Sequence, residues 1–380
     1  MPMSGPDIPI SPADLGFLPP VLRGAIKTLA SDFHVTEIPA YEASGNGQYL
    51  YFKIRRSNLN TKEVLQILAR LFSLPEGEVG YAGLKDRNAV CTQLFSVPIF
   101  RIPGISPDSS SAAVIEKEIH NQWKNLDGEL ELLEILRHEN SLRRGHLAGN
   151  RFSILVRDLG PAADSAGNLD SKAGSIQELL QSAASHWMEK GMINLYGPQR
   201  FGKEGSTLQQ GLSFMDGKKA RKWLLDLGVS AVQSYAFNYY LRLRNEQGKL
   251  FDLLDGDLAV KSESGGIFKV PVADQESSRM SSGEISYTGP MFGKKMRSPE
   301  GPSLQLEMDT LSYLGKTEED FKKMKVPGAR RAGIIPLHDL ELEWETDESV
   351  WMKFSLPAGS YATVAISHLI QLEENSERSL

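Results

Sequence analysis

Between an apolar helix that ends near Leu74 and a strand that begins near Gln93 lies a charged loop, Gly83-Leu84-Lys85-Asp86-Arg87. A glycine and three consecutive charges belong at a surface, so the flanking apolar segments must find their core elsewhere, the helix packed on a sheet. On its own the triplet also describes an ordinary ion-pair turn. A carboxylate flanked by Lys85 and Arg87 nevertheless sits in a positive local field. That field favours the ionised form, hence a competent nucleophile at neutral pH, and the same cations suit a phosphate. Asp86 is the first candidate for chemistry. Lys85 either keeps Asp86 ionised, holds a phosphate, or makes a structural salt bridge.

A chain of 380 residues with 41% hydrophobic content is long enough for more than one domain. Its formal net charge is −6 and its pI about 5.8, so bulk charge does not advertise a nucleic-acid partner. Basic residues gather locally, at Arg55-Arg56, Arg143-Arg144, Lys218 to Lys222, Lys294, Lys295 and Arg297, and Arg330-Arg331, while acids crowd Asp339 to Glu348. Cys91 is the single cysteine, which excludes an intrachain disulfide and a cysteine-rich metal site and suits a reducing compartment, the cytoplasm by default. Met1 to Pro20 carries acids and prolines without a long apolar run, so a soluble cytoplasmic protein is expected. His146 has no partner at ligand spacing and reads as structural or phosphate-contacting; no metal is implied.

Read in order, Ile26 to Ile54 is extended structure with a glycine-rich turn at Ser44 to Gly47, expected to be a hairpin. Asn60 or Thr61 caps a helix through Val64, Leu65, Leu68 and Leu71. Ile105 to Ala113 reads as a loop, Leu130 to Leu136 and Arg151 to Arg157 as strands. The basic turn between those strands, Leu142 to Phe152, presents Arg143, Arg144 and Arg151 to phosphate or bases, or is a plain hairpin. After a loop from Gly160 to Gly174, an amphipathic helix runs through Ile176, Leu179, Leu180, Ala183 and Trp187. Asn194 to Gly202 is a tight turn presenting Gln199 and Arg200, suited to RNA contact or a domain joint. Ser230 to Asn245 is a helix with core aromatics. Asp252 to Met291 reads as short strands, Glu319 to Lys325 as a short helix, and Phe354 to Thr363 as a strand turning into a helix with Ala362, Ala365, Ile366, Leu369 and Ile370 on one face.

Several of these stretches match one family together. Asp32-Phe33 with Val35 and Glu37, Gly80 to Val90 followed by Gln93, Gly149-Asn150-Arg151-Phe152, Asn194 with Gly197, Gln199-Arg200-Phe201-Gly202, Gln233-Ser234 with Phe237-Asn238, and Leu356 to Thr363 resemble, in order, the signatures of the TruD family of tRNA pseudouridine synthases. The resemblance spans nearly the whole chain. Two departures mark it. Cys91-Thr92-Gln93 stands where Thr-x-Gln is commoner, which moves or removes a hydroxyl contact, and Tyr361 stands where some members carry Phe.

The resemblance implies an α+β fold, a pseudouridine-synthase-like mixed, largely antiparallel sheet flanked by helices, with an inserted α/β domain. The expected division is 1–193 plus 332–380 for catalysis and 194–331 for the insertion, two lobes around a cleft. It implies Asp86 as catalytic aspartate, Phe33, Lys85, Asn150 and Tyr361 at the substrate, and Arg143, Arg144, Arg151 and Arg200 at the RNA. The implied reaction turns a uridine of tRNA into pseudouridine, at position 13 in the D-arm region by the family's habit, with no cofactor, no metal, no membrane and a monomeric enzyme. An inactive RNA-binding relative is the competing expectation. An aspartate-nucleophile hydrolase ranks last, because no acid/base partner or oxyanion device is written around Asp86.

Overall fold

Alternation of buried and half-buried residues makes strands of β1 (Leu22–Ala25), β2 (Phe33–Pro39) and β3 (Tyr49–Arg56). Asn60 then caps α1 (Thr61–Leu71): its side chain accepts from Glu63 N–H while the Glu63 carboxylate takes the Asn60 N–H at 2.7 Å. After β4 (Gly80–Tyr81) and the Asp86 loop come β5 (Val90–Pro98), α2 (Ala112–Trp123), β6 (Leu130–His138) and β7 (Leu147–Pro161). The chain continues through α3 (Ile176–Lys190), β8 (Met192–Ile193), α4 (Ser206–Met215), α5 (Lys222–Glu246), β9 (Leu258–Lys261), β10 (Ile267–Lys269), α6 (Ala273–Ser281) and β11 (Ile285–Met291). It ends with α7 (Gly301–Leu314), α8 (Glu318–Lys323), β12 (Ala329–Ala332), β13 (Ile334–Ile335), β14 (Glu341–Thr346), β15 (Ser349–Pro357), α9 (Ala362–Ser367) and β16 (Gln371–Leu372). This computed structural model describes residues 9, 11–17, 20–105, 112–124, 126, 130–162 and 175–373. Residues 106–111 of the expected first loop and 163–174 of the expected second lie outside them.

Among the described residues the main sheet runs β14-β15-β7-β2-β5-β3-β6, with β1 and β16 paired together, β1 also on β7, and β4 on β5. Along that path β2 and β5 are parallel and every other pairing is antiparallel, the mixed, largely antiparallel sheet expected. The expected hairpin between β2 and β3 is not formed. β5 lies between them, with His34 opposite Val90 on one side and Tyr49 opposite Pro98 on the other. The glycine-rich loop instead lies against the end of β6: Gly45 N–H bonds Arg137 O, and Ser44 N–H bonds His138 Nδ1. Nor do β6 and β7 form a hairpin around the basic turn, since β6 pairs with β3 and β7 with β2 and β15.

The chain divides into two compact units. The sheet unit comprises 23–160, 339–359 and 372–380; the helical unit comprises 1–22, 161–338 and 360–371, and so contains the whole 194–331 stretch. In the sheet unit Phe52, Phe72, Phe95, Leu68 and Trp123 pack β3 and β5 against α1 and α2. In the helical unit α5 is buried nearly all round from Gly228 to Leu241, with Val232, Tyr235, Phe237 and Tyr240 packed among α4, α7 and β11. A second sheet, β10-β9-β11-β12, and the pair β13-β8 complete it.

Candidate active site

Asp86 is exposed on the loop between β4 and β5, and among the described residues no group hydrogen-bonds its carboxylate. The loop beneath it is held by three buried side chains, Thr61, Gln93 and Arg56. Thr61, the first residue of α1, accepts the Lys85 N–H on its hydroxyl at 2.8 Å and donates to Gln93 Oε1 at 3.2 Å. Gln93 in turn donates to Gly83 O at 2.7 Å. Arg56, 1% exposed at the end of β3, points its guanidinium at the backbone carbonyls of Lys85 and Asp86, each at 3.4 Å. The Cys91 thiol faces the Asp86 carbonyl at 3.9 Å and is pushed up in pKa by burial, so it stays protonated as a weak donor. The hydroxyl touching this loop therefore comes from Thr61, while Cys91 supplies a thiol. Backbone groups at Gly83, Lys85 and Asp86 are paired, while among the described residues the Asp86 carboxylate accepts no hydrogen bond.

The two cations next to Asp86 are spent on other acids. Arg87 pairs with Glu63 at the start of α1. The Lys85 side chain, only 6% exposed, turns inward to lie 2.9 Å from Glu37 Oε1 and donates to Asn150 Oδ1 at 2.7 Å. Glu37 and Asn150 face each other across β2 and β7. Burial pushes the Glu37 carboxyl up in pKa, and Lys85 pulls it back. The loop can lie over this pair because residue 83 is glycine: a Cβ there would sit 3.0 Å from Glu37 Oε1. Gly149 similarly lets β15 close on β7 beside Asn150, since its Cβ would meet Leu356 O at 2.3 Å.

Phe33 lies on the same face of β2 as Glu37, packed edge-on against Phe152 at 6.3 Å and under the Lys27 ammonium at 4.6 Å. It is buried in that packing. Asp32 beside it anchors the strand, taking a bidentate grip from Arg157 at 2.9 and 2.8 Å that holds its carboxyl below the usual range. Lys85, on the loop that carries Asp86, is thus in contact with Asn150, while Phe33 lies in the same unit four residues along β2 from Glu37, opposite Ile154. Arg143 is exposed; Arg144 is exposed and bonds Tyr81 Oη at 3.0 and 2.6 Å; exposed Arg151 lies 4.0 Å from Glu341. His146 bonds the Tyr41 hydroxyl at 2.7 Å, a structural contact.

Tyr361 and Arg200 belong to the helical unit. There Tyr361 leads into α9 and packs against Tyr196 at 5.9 Å, and burial raises its hydroxyl pKa. Arg331 stacks over Tyr196 at 4.0 Å and donates to Asn194 Oδ1 at 2.6 Å; Arg200 donates to Ser234 at 3.0 Å and Ser230 at 2.7 Å. Asn238 holds both backbone groups of Tyr196, and Gln233 donates to the carbonyls of Phe292 and Pro327. Asn238 thereby sets the turn that carries the Tyr196 ring, and Gln233 ties α5 to Phe292 and Pro327.

An exposed acid on a loop pinned by Thr61, Arg56 and Gln93, over a buried lysine, is the arrangement to compare with known proteins. The family model for tRNA pseudouridine synthase D (TruD) matches residues 19–218 and 218–369. The chain belongs to the TruD family. Among curated relatives named tRNA pseudouridine synthase D, one from Thermus thermophilus is 35% identical over 358 residues, 93% of this chain and 90% of its own. That of Anaeromyxobacter sp. Fw109-5 is 34% identical over 382 residues, 96% of each chain. A crystal structure of a Methanosarcina mazei TruD protein shares the fold, with TM-score 0.69 over 97% of this chain and 98% of that one at 21% identity. Among the described residues no helix is long and apolar enough to cross a membrane, and no group of three or more His, Cys, Asp or Glu is gathered to hold a metal.

Proposed function

We propose that this chain converts a uridine of tRNA into pseudouridine and that Asp86 is its catalytic aspartate. The observation that carries the reading is the Asp86 carboxylate, exposed and without a hydrogen bond among the described residues while its loop is pinned from below. The reaction breaks the bond from C1′ to N1 of uracil, turns the base, and joins C1′ to C5; the C5 proton leaves and N1 gains one. Every other atom is retained and the isomerisation is redox-neutral overall, so the reaction needs no external oxidant or reductant. A carboxylate opens this sequence by adding to C1′ or to the base, or by taking the C2′ proton, and each route needs it ionised. The base must first leave its stack, and an aromatic face suits an extruded uracil.

Catalysis falls in this reading to the sheet unit, which carries Asp86, Lys85 and Asn150. The helical unit, containing the 194–331 insertion, grips RNA, with Arg200 on that unit and Arg143, Arg144 and Arg151 on the sheet unit. The target is a uridine of the D-arm region, and the enzyme acts as a cytoplasmic monomer. An inactive RNA-binding relative has no use for an accessible acid on a pinned loop. The test is nucleotide-resolution mapping of pseudouridine in unmodified tRNA transcripts incubated with purified protein. One new pseudouridine in the D-arm region supports the reading; tRNA binding without any new pseudouridine supports the inactive relative.

A further inference from the structure

The α4–α5 hairpin of the helical unit carries a surface that the catalytic arrangement does not use. Gly211 of α4 and Gly228 of α5 are in backbone contact, since a Cβ on Gly211 would lie 2.1 Å from Gly228 O, and this fixes the two helices against each other. The tip between them is closed by Gly217 in the left-handed region and by Lys218 N–H on Ser213 O at 3.0 Å. Four cations follow within five positions, Lys218, Lys219, Arg221 and Lys222, all exposed and, among the described residues, none in an ion pair. The nearest acid on one side, Asp216, is paired with Lys316; on the other side Asp226 makes no ion pair among the described residues. Directly after the cations comes Trp223, 63% exposed, with Leu227 exposed one turn on. An indole in open solvent at the end of a basic run is costly to leave uncovered in a chain that is net negative.

We infer that this hairpin tip is an RNA contact, with Trp223 stacking on an unpaired base and Lys218, Lys219, Arg221 and Lys222 holding the flanking phosphates. Cation density beside a flat ring fits a single-stranded nucleic acid, whose bases stack on aromatics irrespective of sequence while the backbone follows the charges. Continuity along the helix strengthens it. Trp223, Leu227, Ser230 and Ser234 recur at helical spacing on one stripe of α5, and Arg200 is bonded to the last two. Trp223 therefore lies roughly 10 Å along the same stripe from Ser230, where Arg200 sits. The inference rests on the proposed tRNA function and extends it: the occupant is a looped, unpaired segment of the substrate tRNA other than the reacting base. Trp223 is a positioning residue here.

The test compares wild type, Trp223→Ala, Trp223→Phe and the quadruple variant K218Q/K219Q/R221Q/K222Q in binding to a full-length tRNA transcript and in pseudouridine formation. All substituted side chains are exposed, and melting curves are to be recorded to check that the variants fold. Trp223→Ala is expected to raise Kd and KM about five- to hundredfold, with kcat at saturating tRNA within twofold of wild type and Trp223→Phe restoring most of the affinity. The quadruple variant lowers the slope of log K against log salt by about three. Unchanged Kd and salt slope in a wild-type background that does make pseudouridine would overturn this inference alone. A wild type that neither binds tRNA nor modifies it would sink the function beneath it. Co-sedimentation with phosphatidylserine vesicles that is lost in Trp223→Ala, while tRNA affinity stays unchanged, would assign the tip to a membrane instead.

Discussion

Asp86 faces solvent while nearly everything that fixes it is buried. That asymmetry separates chemistry from positioning and makes each testable. Removing the Thr61 hydroxyl leaves the Lys85 N–H without its 2.8 Å acceptor. Thr61→Val should cost about 1–3 kcal/mol of stability and lower kcat more than it raises KM, because the loop loses its register rather than its affinity; an unchanged kcat would show that the hydroxyl does not position the acid. Lys85 presents the opposite case. Its ammonium sits between Glu37 and Asn150, so Lys85→Met strands a buried carboxylate and should lower stability by about 3–5 kcal/mol. Adding Glu37→Gln should recover part of that loss, as a thermal-melt double-mutant cycle would show. A Lys85→Met protein that melts like wild type but binds tRNA weakly would make Lys85 a phosphate contact. Asp86 and Lys85 were visible in the sequence as a charged loop. The inward turn of Lys85 was not, because its partner Glu37 lies far earlier in the chain on another strand and no local pattern links them.

Among the elements, capped helices were legible and strand partners were not. A cap at Asn60 or Thr61 before Val64, Leu65, Leu68 and Leu71 marked α1, and Ala362, Ala365 and Ile366 marked α9, because both signals are local; Leu369 and Ile370, expected on the same helical face, lie past its end at Ser367. The insertion of β5 between β2 and β3 is a long-range choice that a glycine-rich turn cannot reveal. α6 escaped because it buries no residue and so shows no apolar stripe. α7 escaped because its buried face mixes Ser303, Glu307 and Thr310 with Leu306 and Leu311; burial pushes the Glu307 carboxyl up to about 7 against the pull of Arg330. α9 carries a pH-sensitive joint at its end. His368 accepts from Ile193 N–H at 2.9 Å and lies 2.7 Å from Val364 O, which fixes a neutral ring protonated on Nδ1. Burial lowers its pKa from 6.5 to about 4. The unfolded chain thus takes up a proton below pH 6.5 that the folded chain refuses until about 4, so the stability His368 contributes is present above 6.5 and lost as pH falls through that window. The loss approaches ~3 kcal/mol. Glu307 acts with the opposite sign between its unfolded value and about 7, so the measurement is a difference: the melting temperature of His368→Leu should fall less between pH 6.5 and 4 than that of wild type, and parallel curves would contradict the account.

At the scale of the whole molecule, a net charge of −6 requires that RNA be held by local surfaces. If RNA contacts are spread over Arg143 and Arg144 of the sheet unit and over the helical unit, as proposed, a folded tRNA is needed to engage them all. An isolated D-arm stem-loop keeps the target base but loses most of those contacts, and positioning supplies several kcal/mol of a barrier of this kind. Its initial rate should be at least tenfold below that of full-length tRNA; equal rates would mean that recognition is local. The family was legible across the chain because its signatures include both working residues and buried amides such as Gln233 and Asn238. The central claim is that Asp86 drives a rearrangement in which C5 of uracil gives up its hydrogen. The most direct measurement is tritium release from tRNA transcribed with uridine labelled at C5, under enzyme excess, for wild type and Asp86→Asn. Wild type should release tritium stoichiometric with one uridine per tRNA, and Asp86→Asn should release none above background while binding the same tRNA nearly as tightly. Release by Asp86→Asn at a rate near wild type would contradict the assignment of Asp86.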